Sequence, residues 1–186
     1  MKYQEYKKTF EKYGDIDTRE INFQNELVKP LLKEVLKDAD VIDTSTITKG
    51  SSIHDRKKYA GHLKNRLVSP DLLICKNWNY SNINNHVNYL AVVEVKSPFH
   101  QNIYSKEYDH YSNYLRERID SFVINGNVKK LILTDALKWE FYDFNNNNQS
   151  INTIRLYNMK GRGKWEWRND NSYNQLLSEL TTFVGK

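Results

Sequence analysis

Residues 91–98 read AVVEVKSP, an apolar, β-branched run that Glu94 and Lys96 interrupt at alternate positions. Upstream, residues 69–76 read SPDLLICK, a second run typical of a strand. Alternate side chains of a strand point to one face, so Glu94 and Lys96 are expected to lie side by side. Charged side chains in an otherwise apolar strand indicate a specific role. Asp71, at the start of the upstream run 69–76, is a third charged residue that we expect to share this role.

We expect the two runs to pair as neighbours in an antiparallel sheet, which brings the carboxylates of Asp71 and Glu94 together. Directly opposed residues point to the same face and lie within reach of one ligand. Pro70 lacks a ladder donor and should stop the first strand next to Asp71. The expected register pairs Asp71 with Glu94, Leu73 with Val92 and Cys75 with Leu90.

Two neighbouring carboxylates repel each other unless a cation lies between them. Hard oxygen ligands favour Mg²⁺, with Mn²⁺ as the alternative. Such an ion lowers the pKa of a bound water and offsets charge that builds on a phosphate. Beside it, Lys96 would orient or help to deprotonate the attacking water, or stabilise the pentavalent phosphorus. The competing interpretation is a surface hairpin whose charges meet by chance.

The composition is that of an ordinary globular chain: 186 residues, 39% hydrophobic and 27% charged. This length predicts a single domain over residues 1–186. No run approaches the ~18 apolar residues of a membrane span, and the N-terminus lacks the apolar core of a signal peptide. Cys75 is the single cysteine, which excludes internal disulfides and cysteine-ligated zinc. We therefore expect a cytoplasmic protein with no membrane partner.

The net charge of +5 is concentrated in one segment, residues 49–66. Its cations are balanced only by Asp55, so the rest of the chain sums to zero. Such a segment is either a solvated loop or a contact for a nucleic-acid backbone, and interleaved histidines and a tyrosine favour the second. The candidate nucleic-acid-binding residues of this segment are Lys49, Arg56, Lys57, Lys58, Lys64 and Arg66.

Along the chain, the pattern predicts a mixed β-sheet flanked by helices. A capping box with Asp17 as N-cap and Glu20 at its third helical position would start an amphipathic helix, which Pro30 should kink or offset. Trp165 and Trp167 fit a core strand better than a base-stacking surface. Expected helices cover residues 3–13, 17–37, 105–120 and 172–183, and expected strands cover 40–48, 71–76, 88–97, 129–134, 138–144, 151–157 and 163–168.

Pro70-Asp71 followed, after 22 intervening residues, by Glu94-Val95-Lys96 resembles the motif of the PD-(D/E)XK nuclease superfamily. The stretch TRE…KPLL is similar to the start of the nuclease domain of type I restriction motor subunits, the nearest group. This resemblance implies a restriction-endonuclease-like α/β fold with an αβββαβ core. It further implies that Asp71, Glu94 and the Val95 carbonyl bind Mg²⁺, while Lys96 serves the water.

The superfamily often adds a Glu from the first helix, and two candidates exist. At about 100° per residue, Glu20 falls on the apolar stripe that would pack on the sheet, whereas Glu26 faces away. Glu20 is the better candidate, although it could instead serve only as the arm of the capping box, and a kink at Pro30 could rotate Glu26 inward. RecB-like members carry Gln-x-x-x-Tyr after the Lys; here His110 and Tyr114 stand at that spacing as candidate nucleic-acid contacts.

Together these features predict a Mg²⁺-dependent DNA nuclease, an endonuclease linked to restriction or to a mobile element. It would act as a homodimer or as a subunit of a larger assembly. The alternatives are a nuclease that acts on RNA, and a non-catalytic module that keeps the fold to bind nucleic acid or protein.

Overall fold

The computed structural model describes residues 1–43, 70–78, 87–98, 128, 130–143, 150–161 and 164–185. Within these ranges the chain forms a mixed α/β structure, which agrees with the predicted class. The helices are α1 (Tyr3–Ile16), α2 (Glu20–Phe23), α3 (Lys29–Val35) and α4 (Asp170–Gly185), with a π-helical turn at Gln24–Val28. The strands are β1 (Asp40–Asp43), β2 (Leu72–Lys76), β3 (Asn88–Val95), β4 (Lys130–Thr134), β5 (Lys138–Asp143), β6 (Ser150–Arg155), β7 (Tyr157–Gly161) and β8 (Lys164–Trp167).

Strands β1 to β6 form one sheet in chain order, and β7 pairs with β8 in a separate hairpin. Strands β3 and β4 are parallel, while every other described pair is antiparallel. A parallel pair needs a long crossover connection. The helix predicted at 105–120 falls in that connection and lies outside the described residues, so the αβββαβ order stays a prediction.

The predicted register between β2 and β3 is confirmed where it matters for the site. Leu73 pairs with Val92, as expected. The expected partnership of Cys75 with Leu90 is wrong, because the register shifts after Ile74 and Cys75 pairs with Tyr89. A bulge of this kind inserts one extra residue into a strand. It lies at the far end of the pair, so the alignment next to Asp71 is unaffected.

Apolar side chains are buried on both faces of the sheet. The larger cluster joins one face to the helices, where α1 contributes Tyr6 and Phe10 and α4 contributes Leu180. The opposite face carries a smaller cluster around Leu73, Val92, Leu131, Leu133 and Tyr142. Since strand side chains alternate, Glu94 shares this second face with Val92.

The predicted capping box is wrong. Helix α1 runs on to Ile16, so Asp17 ends one helix, and Arg19 is the N-cap of the next. The Asp17 carboxylate instead accepts hydrogen bonds from the backbone N–H of Arg19 at 3.2 Å and from its Nε at 2.9 Å. These bonds, the side-chain one first, hold the pKa of Asp17 well below its usual range. Glu20 is therefore the first residue of α2 and does not stand at the third helical position that a capping box requires.

The predicted offset at Pro30 takes the form of a π-helical turn directly before it. The turn covers Gln24–Val28, and Pro30 occupies the first turn of α3, where its missing N–H is tolerated. Such turns insert one residue and rotate the following helix. They occur often at functional sites, and this one follows Glu20 by a single turn.

The β7–β8 hairpin packs through its aromatic face on α1. Trp167 lies edge-on to Phe10 at 5.2 Å between ring centroids, and Trp165 does so at 6.2 Å. The Trp167 Nε1 donates to Glu11 Oε1 at 2.8 Å. These contacts agree with the core interpretation of the two tryptophans. Trp139 and Tyr142 on β5 are also buried, as core residues should be.

Candidate metal-binding site at the edge of the sheet

The candidate residues lie where several strands begin or end on the same side of the sheet. This end of the sheet, perpendicular to the strands, is here named the site edge. Asp71 precedes β2, and Lys96 directly follows β3. Because β3 and β4 are parallel, the end of β4 lies beside them, and the Lys96 N–H donates to the Thr134 carbonyl at 2.8 Å. The start of β5 and the end of β6 complete this edge, where Lys138 pairs with Arg155.

Asp71 and Glu94 lie together, as the register predicts. Asp71 Oδ2 accepts the Val95 N–H at 2.7 Å, and the adjacent pairing of Leu72 with Val93 sets Asp71 beside Glu94. Burial, followed by the charge of Glu94, raises the pKa of Asp71 to about 7. Burial also raises the pKa of Glu94, although Lys96 opposes that shift. An additional positive charge beside Asp71 and Glu94 would therefore lower the pKa of both carboxylates.

Lys96 is the cation of this cluster. Its Nζ lies 2.7 Å from Glu94 Oε1 and 3.3 Å from Glu20 Oε2, and its side chain is only 10% exposed. Burial works against the ammonium charge, but the carboxylates of Glu94, Glu20 and Asp71 outweigh it and raise the pKa of Lys96 above its usual value. The side chain is thus held protonated at neutral pH.

A hydrogen bond between loops brings Glu20 to the cluster. Ser97 Oγ donates to the Thr18 carbonyl at 2.6 Å, which ties the residue after Lys96 to the α1–α2 connection. Glu20 begins α2 two residues further on, so its carboxylate reaches Lys96. Glu26, the other candidate, lies in the π-helical turn and is exposed.

Two buried or half-buried ion pairs near the site were not predicted from the sequence. Lys29 Nζ lies 3.7 Å from Asp43 Oδ2, and the charge of Asp43 contributes to the raised pKa of Asp71. Lys138 Nζ lies 2.9 Å from Glu140 Oε1, with both side chains less than 10% exposed. The alternation of charges in KWE at 138–140, like that in EVK, was the available signal for the second pair.

The remaining candidates lie outside the described residues. This applies to the whole basic segment 49–66 and to His110 and Tyr114. Their assignment to nucleic-acid contact stays a prediction.

The donor set at Asp71 and Glu94 fits a hard divalent cation. The two carboxylates are close, largely buried and raised in pKa, which is the condition that a bound cation relieves. The Val95 N–H donates to Asp71, and a strand residue directs its N–H and C=O to the same side, so strand geometry predicts that the Val95 carbonyl is directed to the side of β2. In the described part of the chain, no three acidic, histidine or cysteine side chains surround a common point; instead, Lys96 Nζ lies between Glu94 and Glu20.

No helix in the described ranges is long and apolar enough to cross a membrane. No protein-family model matches the sequence, and no curated protein matches it significantly. Among solved structures, the chain is similar to the type IIG restriction endonuclease BpuSI at 14% sequence identity and a TM-score of 0.42. The match covers 87% of this chain and 17% of that endonuclease, so any assignment of function to this chain rests on its own site.

Proposed function

We propose that this chain is a Mg²⁺-dependent nuclease that hydrolyses phosphodiester bonds in DNA. The observation that carries the proposal is the cluster of Asp71, Glu94, Lys96 and Glu20 at one edge of the sheet. The Lys96 ammonium contacts Glu94 and Glu20, and Asp71 lies beside Glu94, so the cluster would carry a net charge of −2 if all three carboxylates were ionised, which suits a divalent cation and its phosphate ligand. A purely structural ion pair would need only one carboxylate for the lysine.

Asp71, Glu94 and the Val95 carbonyl would hold the ion, with Glu20 as a further ligand. A bound Mg²⁺ supplies a water of lowered pKa and stabilises charge on the phosphate; Mn²⁺ would serve in the same way. Lys96 remains protonated between its carboxylates, so in this arrangement it acts as a donor that orients the attacking water or contacts a phosphate oxygen. Ser97, through Thr18, keeps Glu20 in place.

We further propose that the chain acts as an endonuclease in restriction or in a mobile element, as a homodimer or within a larger assembly. The resemblance of the Asp71 and Glu94-Val95-Lys96 motif to that of restriction nucleases supports this assignment.

The test is incubation of the purified chain with supercoiled, linear and branched DNA, and with RNA, in Mg²⁺, in Mn²⁺ and in EDTA. We expect nicking or linearisation of supercoiled DNA with either metal and no cleavage in EDTA. Cleavage that persists in EDTA would contradict the mechanism, and cleavage of RNA alone would replace DNA as the substrate. Binding of DNA without cleavage of any substrate would favour a non-catalytic module.

A further inference from the structure

A basic groove lies beside the β7–β8 hairpin. The groove has a volume of about 480 Å³ and is lined by Arg155, Tyr157, Asn158, Met159, Lys160, Glu166 and Arg168. Three of these side chains are cationic and one is anionic, so the groove carries a net charge of +2. All four charged side chains belong to exposed residues.

The sheet topology places this groove on the same edge as the candidate metal site. Arg155 is the last residue of β6 and pairs with Lys138 at the start of β5. The hairpin is joined to that edge by backbone hydrogen bonds, from Leu156 N–H to the Leu137 carbonyl and from Arg168 N–H to the Leu156 carbonyl, each 2.8 Å long. The hairpin base is therefore fixed at the site edge.

Arg155 also shares a face with the candidate metal site. Lys138, Glu140 and Tyr142 occupy every second position of β5 and therefore share the face of the smaller cluster. Arg155 lies directly opposite Lys138 and points to the same face. Three strand spacings separate β3 from β6, which amounts to about 14 Å. That distance equals roughly four base-pair steps of duplex DNA at 3.4 Å each.

The hairpin presents its cations in a fixed arrangement. Arg168 Nε donates to Asn158 Oδ1 at 2.7 Å, which orients the guanidinium and leaves its other nitrogens to donate elsewhere. The opposite face of the hairpin is anchored on α1 through Trp165 and Trp167. A guanidinium held in this way binds phosphate with less loss of conformational freedom than a mobile one.

We propose that the groove formed by Arg155, Lys160 and Arg168 binds the phosphate backbone of duplex DNA beside the bond that is cleaved. The identity of this ligand rests on the proposed nuclease function. Charge complementarity, the shared edge and the shared face support it. Lys160 Nζ lies 2.8 Å from Glu166 Oε1, so this carboxylate competes with phosphate for the lysine.

The test measures binding of a 30-base-pair duplex by fluorescence anisotropy in EDTA, over a range of salt concentrations, on an Asp71→Asn parent that cannot cleave. The hairpin variant is Arg155→Gln/Lys160→Gln/Arg168→Gln. The matched control is Lys33→Gln/Lys37→Gln/Lys76→Gln, which removes the same charge from exposed residues that do not line the groove. Lys76 ends β2, at the opposite edge of the sheet.

We expect the hairpin variant to weaken binding about 10- to 100-fold near 0.15 M salt and to reduce the salt-dependence slope by about 2 to 3, since each phosphate contact contributes about 0.9. The control should change binding about 3-fold or less. Glu166→Gln should strengthen binding, because it removes the competing carboxylate.

Equal losses in the hairpin and control variants, an unchanged salt slope, or no duplex binding by the parent would overturn the inference. Failure of the nuclease proposal gives a different result: no metal-dependent cleavage by the wild-type chain, with binding still sensitive to the hairpin.

Discussion

Asp71→Asn and Glu94→Gln should each lower the rate of Mg²⁺-dependent DNA cleavage by about 10³-fold or more. Both changes keep the size of the side chain and one acceptor oxygen, but they remove a negative charge from the proposed metal site. Loss of transition-state stabilisation of about 4 kcal/mol corresponds to this factor. Asn can still accept the Val95 N–H that Asp71 now accepts, so the fold should survive.

The helix α2 region offers a matched pair of variants for the same assay. Glu20→Gln should reduce cleavage by about 10- to 100-fold, less than the two changes above, because Asp71, Glu94 and the Val95 carbonyl would still hold the ion without this further ligand. Glu26→Gln, six residues further along the chain, should leave the rate unchanged, since its side chain is exposed. Single-turnover cleavage of a labelled duplex measures all four rates. Equal cleavage rates for Asp71→Asn and Glu26→Gln would show that the Asp71 carboxylate takes no part in the reaction.

Lys96→Met should lower the free energy of unfolding at pH 8 by about 3–5 kcal/mol. Removing one member of a buried ion pair leaves its partners charged and without compensation. In Lys96→Met, the carboxylates left without this cation are those of Asp71, Glu94 and Glu20. The matched control is Lys160→Met, whose exposed pair with Glu166 should be worth at most about 1 kcal/mol. Urea unfolding in EDTA measures both.

The loss in free energy of unfolding that Lys96→Met causes should become smaller as the pH falls. The pKa of Asp71 is raised to about 7 in the folded chain, so protonation of Asp71 favours folding below that pH. This contribution is fully present below the ordinary pKa near 4 and is lost as the pH rises through 7. Without the ammonium, the pKa values of Asp71 and Glu94 should rise further. The destabilisation is therefore expected to be smaller at pH 5 than at pH 8; a deficit that does not depend on pH would indicate lost packing instead.

Local sequence patterns predicted the parts of this site that depend on strand periodicity. The alternating charges of Glu94 and Lys96, with Asp71 at the start of the upstream strand, predicted that Asp71 and Glu94 would meet, and the structure brings them together. The bulge beyond Ile74 was not predictable, because the distant end of a strand pair is set by the connection between the strands. It changes the partner of Cys75 and leaves the site end unaffected.

Side-chain contacts that strand periodicity does not indicate account for the rest, and several of them join segments that are distant in sequence. Asp17 fits a capping box on sequence alone, yet the nearby Arg19 side chain engages it and leaves Glu20 to meet Lys96. The Ser97 bond to Thr18 joins segments 79 residues apart, so no local pattern could indicate it. The same holds for Arg155, whose position at the site edge follows from the order of six strands.

The central claim is that Asp71 and Glu94 hold a divalent cation, and direct titration of the chain with Mn²⁺ tests it without any substrate. Electron paramagnetic resonance of free Mn²⁺ gives the number of ions bound per chain. We predict one or two ions on the wild-type chain, with loss of at least one in Asp71→Asn and in Glu94→Gln and no loss in Glu26→Gln. Equal Mn²⁺ binding by the wild-type chain and Asp71→Asn, or no binding by either, would contradict the claim.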